Sequence, residues 1–135
     1  MTRQAIQEPT FLILTALAAG PQHGYGIMTD VAEISGGRVK LRAGTLYAAL
    51  DRLGSEGLVG VEREEVVDGR LRRYYQLTSD GARLLADEAA RLQANAAAAS
   101  KRLKALAARA ALSSGRLFPG STAVPGGTAL AGGTA

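Results

Sequence analysis

Apolar positions along the chain change their period several times, and each change marks an element. Between Pro9 and Ala19, Phe11, Leu12, Ile13, Leu14 and Leu17 cover nearly every side of a helix that Gly20-Pro21 then stops. A helix apolar on all sides is buried on all sides. In so small a domain that predicts packing on its own core and, through Phe11 and Leu14, on a second subunit. Ile27, Val31 and Ile34, with Met28 beside them, set a second helix over Gly24–Ile34, closed by Ser35-Gly36-Gly37. Leu46, Leu50 and Leu53 stripe a third from Ala43 to Gly57. Its opposite side, about 100° per residue onward, holds Gly44, Thr45, Ala48, Asp51 and Arg52, with Tyr47 on the flank.

The period then falls to two. Val59 and Val61 precede Asp68-Gly69, and Tyr75 and Leu77 follow, which predicts a β-hairpin with Tyr75 on its core side. A two-residue turn would pair Val61 with Gln76. A three-residue turn, Asp68-Gly69-Arg70, pairs Val61 with Leu77 and keeps both on one face, so that register is expected. A fourth helix is expected from Thr78 or Ser79 to Leu112. Its apolar positions recur every seven, in one series Leu85, Leu92, Ala99, Leu106 and in another Ala89, Ala96, Leu103, Ala110. Offset by four, these are the d and a positions of a heptad, so the helix should pair with its own copy. The seam is rich in alanine, and each missing methylene forgoes about 0.8 kcal/mol of burial. Phe11 and Leu14 are therefore expected to help hold the dimer. From Ser113 onward Gly, Ala, Thr, Ser and Pro dominate, which predicts a disordered tail over 113–135.

Composition narrows the chemistry. The 135 residues include no cysteine and one histidine, so thiolate metal sites, cysteine nucleophiles and histidine triads are excluded or nearly so. His23, ahead of a helix start, is expected to make a structural hydrogen bond. No run approaches the roughly 18 apolar residues of a membrane span, and MTRQAIQEP is not expected to act as a leader, so a cytoplasmic protein is expected. No cluster of His, Asp, Glu, Ser or Lys recurs at motif spacing. GGTALAGGTA lacks the lysine, strand and helix of a phosphate loop. No enzyme, metal or cofactor is expected.

Sixteen Lys and Arg face twelve Asp and Glu, for a net charge of +4. The positive charge is clustered, with Arg38, Lys40, Arg42 and Arg52 in one stretch and Arg70, Arg72 and Arg73 in another. Three helices followed by a two-stranded wing is the order of a winged helix-turn-helix, whose third helix enters the major groove. The fold class expected is mainly α with a two-stranded β-wing, plus a long C-terminal dimerisation helix. The domain expectation is a winged-helix DNA-binding domain over 1–78, the dimerisation helix over 79–112 and the tail beyond. Gly44 and Ala48 would leave the reading face uncluttered. Thr45, Tyr47, Asp51 and Arg52 would reach bases or phosphates, Lys40 and Arg42 would meet the backbone before the helix, and Arg70 and Arg72 would do so from the wing. Each has an ordinary structural reading: Tyr47 as a rim aromatic, Asp51 and Arg52 as a solvated face, Arg73 as the answer to Glu64 or Glu65.

Three stretches, FLILTALAAGPQHGYGI (11–27), GTLYAALDRLGSEGLV (44–59) and GRLRRYYQLTSDG (69–81), resemble in order and spacing the PadR family of bacterial transcriptional regulators. That resemblance implies a homodimer, a winged helix-turn-helix reader of double-stranded DNA, and repression of nearby genes. Family members often carry proline where Ala48 stands, and a small capping residue and proline where Arg42-Ala43 stands. Ala48 should stiffen the reading helix, and Arg42 gives up a cap worth about 1 kcal/mol. Some relatives answer small phenolic or flat hydrophobic effectors. This chain has no tryptophan and two phenylalanines, so no effector is assigned. The resulting expectation is a dimeric, sequence-specific regulator on an inverted-repeat operator. The alternative is a winged helix used for protein assembly, against which the basic clusters weigh.

Overall fold

The structure, a computed structural model, describes residues 5–114. The elements run α1 (Glu8–Ala18), β1 (Gln22–His23), α2 (Gly24–Ile34), α3 (Ala43–Ser55), β2 (Val59–Val67), β3 (Arg70–Leu77) and α4 (Ser79–Ser113). The helices and the hairpin fall where the apolar periods place them. The expectation of a disordered tail concerns residues that, from 115 on, lie outside those described. The chain divides after Leu92 into two units.

In the first unit, α1, α2 and α3 supply the centre of the core. Ile13, Leu14, Ile27, Val31, Leu46 and Leu53 are its largest fully enclosed side chains. Each such burial is worth about 1.5–3 kcal/mol. Leu14, expected at a subunit contact, has 0% of its surface exposed, which corrects that assignment. Phe11, one helical step away, is half-buried and keeps surface to offer. Ile34 also departs from its expected stripe, being 44% exposed where α2 ends.

Helix α3 closes on Gly57, whose φ of 76° suits the left-handed cap position. There the Leu58 amide donates to the Leu53 carbonyl at 2.9 Å and the Gly57 amide to the Gly54 carbonyl at 3.0 Å. Thr78 then locks the start of α4 onto this corner. Its Oγ1 accepts from the Gly81 amide at 3.0 Å and donates to the Gly57 carbonyl at 2.6 Å. Gly81 lies so close that a Cβ there would stand 2.1 Å from the Leu58 carbonyl oxygen. Leu84 and Glu88 bury the next turns of α4 in this unit. Arg91 binds Glu88 and holds its carboxyl below the ordinary carboxylate range.

The sheet is antiparallel in the order β1-β3-β2, one strand more than the expected pair. The extra strand is two residues long, too short for any period to reveal. The hairpin register also differs from expectation. Asp68 and Gly69 have φ of 51° and 77°, the two positive values of a type I′ turn, and Val67 pairs directly with Arg70. The turn therefore has two residues, not three. A bulge between Val61 and Arg63 then shifts the ladder by one, so that Val61 faces Tyr75 and Val59 faces Leu77. That extra residue returns Val59 and Tyr75 to the core side, which the longer turn had been expected to do.

In the second unit, α4 continues from Gln93 with every described side chain exposed.

Candidate nucleic-acid interface

Helix α3 turns Leu46, Ala49, Leu50 and Leu53 inward. What remains outside is divided between its two flanks. On one, Tyr47 and Asp51 face the start of α2 and the wing across a concave groove of about 930 Å³. Tyr25, Arg70, Arg72 and Arg73 line the same groove. On the other, Gly44, Thr45, Ala48 and Arg52 border a hollow of about 470 Å³ shared with Pro9 and Thr10 of α1. The residues expected to form one reading face are thus gathered in two sets. Lys40 and Arg42 are exposed in the segment leading into α3. Arg42 stands at the N-cap without a side-chain cap bond, as its chemistry predicts.

Tyr47 serves two purposes. It is 45% exposed, and its ring rests on Gly24, where a Cβ would meet its Oη at 2.1 Å. A glycine at the first position of α2 is what lets α3 bring an aromatic ring to the groove floor. Arg52 is committed elsewhere, for its Nη2 donates to the buried Thr10 Oγ1 at 3.0 Å and ties α3 to α1. Gly44 has open space around it, and no described atom beyond its own stretch of α3 lies within 4 Å of where a Cβ would stand.

The wing sorts its charges. Arg73 donates to Glu64 at 2.6 Å, the structural reading expected of it. Glu65 is directly opposite Arg72 in register, yet it accepts from Tyr74 Oη at 2.9 Å and lies 3.5 Å from Arg63. Arg63 in turn lies 3.8 Å over the Tyr74 ring. Arg70 and Arg72 are left with no carboxylate partner among the described residues.

His23 caps α2, its Nδ1 accepting from the Gly26 amide at 3.2 Å, and sets an edge against Tyr74 at 5.5 Å. An accepting Nδ1 is an unprotonated one. Desolvation first, and Arg72 second, hold the imidazole below its ordinary pKa, with Glu65 opposing. Tyr75 is buried as expected, and burial raises its phenol above the usual value. Tyr25, 71% exposed at the mouth of the groove, was not among the expected contacts. Its signal was available, since it lies off the Ile27–Val31 stripe of an otherwise buried helix start.

Comparison with known proteins agrees with this geometry. A family model described as "Transcriptional regulator PadR-like family" matches residues 13–87, more than half the chain. An uncharacterized 37.1 kDa protein from a Streptomyces fradiae transposon is 45% identical over 78 residues, which are 58% of this chain and 21% of that one. The chain thus spans about a fifth of the length of that relative. A PadR family transcription regulator from Clostridium difficile superposes with a TM-score of 0.58 at 28% identity, covering 70% of this chain and 96% of its own. Bacillus subtilis PadR, solved in complex with operator DNA, gives 0.54 at 26% identity, covering 60% and 46%.

Proposed function

Since the chain belongs to the PadR-like family of transcriptional regulators, we propose that it works as a homodimeric, sequence-specific DNA-binding protein of the cytoplasm that represses its target genes. One observation carries the reading. The groove between α3 and the wing is open, floored by Tyr47 and edged by Arg70 and Arg72, cations no carboxylate of the described chain answers. A duplex supplies the missing anions, and the B. subtilis relative binds operator DNA. In this reading α3 enters the major groove. Tyr47, Asp51 and Thr45 approach base edges, and Gly44 and Ala48 keep the helix slim. Lys40 and Arg42 meet phosphates beside it, and Arg70 and Arg72 do so from the wing. Arg52 acts through Thr10, as the strut that fixes the angle of α3.

Two copies would pair along Leu85, Ala89, Leu92, Ala96, Ala99, Leu103, Leu106 and Ala110, with Phe11 adding area. Leu92, Leu103 and Leu106 keep 40%, 63% and 52% of their surface in the single chain. The two reading helices of such a dimer favour an inverted repeat with half-sites about 34 Å apart.

A gel shift and footprint on the DNA upstream of the protein's own gene tests this, with sedimentation reporting the dimer. Arg70→Ala should weaken all duplexes alike and reduce the salt slope by about one. Unchanged affinity and slope would overturn the wing's role. A protein that stays monomeric at micromolar concentration and ignores duplex DNA would overturn the whole.

A further inference from the structure

Arg52 aside, which is held by Thr10, carboxylate pairing separates the cations of the described residues into two kinds. Arg38 binds Glu8, Arg63 binds Glu62, Arg73 binds Glu64, Arg83 binds Asp80 and Arg91 binds Glu88. Lys40, Arg42, Arg70 and Arg72 have no such partner, and they are the ones assigned above to phosphate. The same criterion picks out a second set in the distal half of α4, namely Lys101, Arg102, Lys104 and Arg109, all exposed and none in an ion pair among the described residues. Nor can the local sequence neutralise them, because no Asp or Glu follows Glu88 anywhere in the chain.

Their placement on the helix is ordered. At about 100° per residue, Ala96, Ala99, Leu103, Leu106 and Ala110 fall together on one side. All four cations fall outside that arc, spread over the other side within about 12 Å of helix length. The residues interspersed with them are Ala98, Ala105 and Ala108, too small to hold a large surface away. Like charges three residues apart, such as Lys101 and Lys104, repel each other in an isolated helix. A polyanion removes that repulsion.

We propose that this cationic side of distal α4 is a second, sequence-independent contact for the phosphate backbone of duplex DNA, separate from the groove beside the wing. The inference rests on the DNA-binding reading above. An anionic membrane would also attract the charges, but interfacial helices anchor through bulky apolar side chains. The cationic side offers only Leu112 at its end, and the other side is mostly alanine and is assigned to the dimer.

The test uses the full chain with Lys101, Arg102, Lys104 and Arg109 all replaced by glutamine, a helix former as good as lysine. Circular dichroism and sedimentation check that helix and dimer persist. Binding to an operator-free duplex is followed by anisotropy between about 50 and 200 mM salt, where backbone contacts dominate. The variant should show a slope shallower by about three to four per protomer, close to 0.9 for each cation removed. A variant in which only Arg70 and Arg72 become alanine should keep that portion. If wild type binds and the glutamine variant shows the same slope, this proposal fails while the regulator reading stands. If wild type ignores every duplex, the regulator reading fails and takes this one with it. Phosphatidylserine vesicles serve as the third arm, and charge-dependent capture by them with unaltered DNA binding would overturn the assignment in favour of lipid.

Discussion

Gly24→Ala tests the contact that shapes the groove. The new methyl would lie 2.1 Å from Tyr47 Oη and 2.7 Å from Cζ. Ordinary carbon contacts are about 3.5–4.0 Å, so the ring must retreat by more than 1 Å. Tyr47 is 45% exposed, so about 100 Å² of it is covered. At about 25 cal/mol per Å², that coverage is worth roughly 2–3 kcal/mol, of which a retreat of this size forfeits about 1–2. Alanine returns at most about 1 kcal/mol of helix preference over glycine. The net loss should be near 1 kcal/mol. With Tyr47→Ala already made, the same substitution meets empty space and should be neutral or stabilising, giving a coupling of about 1–2 kcal/mol. Urea unfolding of wild type, both single variants and the double variant measures it. Operator affinity of Gly24→Ala should fall as well, because the displaced ring stands in the groove. If Gly24→Ala costs the same in both backgrounds, within about 0.3–0.5 kcal/mol, the ring does not rest on the glycine.

Two further expectations concern the scaffold. Gly81→Ala and Gly54→Ala should have opposite signs although both glycines are helical. At Gly81 the methyl meets the fixed Leu58 carbonyl at 2.1 Å and should cost about 1–3 kcal/mol. At Gly54 the nearest atom is 3.8 Å away, and helix preference should stabilise by up to about 1 kcal/mol, both read from urea midpoints. His23, whose pKa is lowered on folding, binds its proton more readily in the unfolded chain. Its contribution is therefore complete above the unfolded pKa near 6.5 and drains away as pH falls below it. Stability should drop between pH 7.5 and 5.5, a window above the titration of the carboxylates. His23→Asn, which keeps a capping oxygen without the titration, should flatten that part of the profile. An equal slope in both proteins would refute the assignment.

The helices were legible because each has a buried stripe of period near 3.6, and α4 because its heptad persists. The hairpin was legible through its alternation and Asp68-Gly69. Its register was not, because a single ladder was assumed from tip to base. One extra residue at Glu62 reconciles a two-residue turn with a buried Val59 and Tyr75, and no apolar pattern marks a bulge in a run of glutamates. The candidate interface was legible in its residue types but not in its grouping. Arg52 stood on the expected face, and only the fold shows Thr10, 42 residues away, occupying it. Leu14 illustrates a related limit. A helix apolar on every side does not say which side its own chain covers, and here that chain takes all of Leu14.

The bulge at Glu62 also separates the register at the two ends of the wing. Toward the body, Val59 and Tyr75 are bound to the interior and cannot slide. Toward the tip, the ladder keeps its own phase through a two-residue turn whose Gly69 has open space around it. Lengthening each strand by two residues would carry the arginines farther along a duplex without disturbing a single interior side chain. Adding a single residue to each would swing them to the reverse side. Reach is thus open to adjustment in this architecture, and handedness is not.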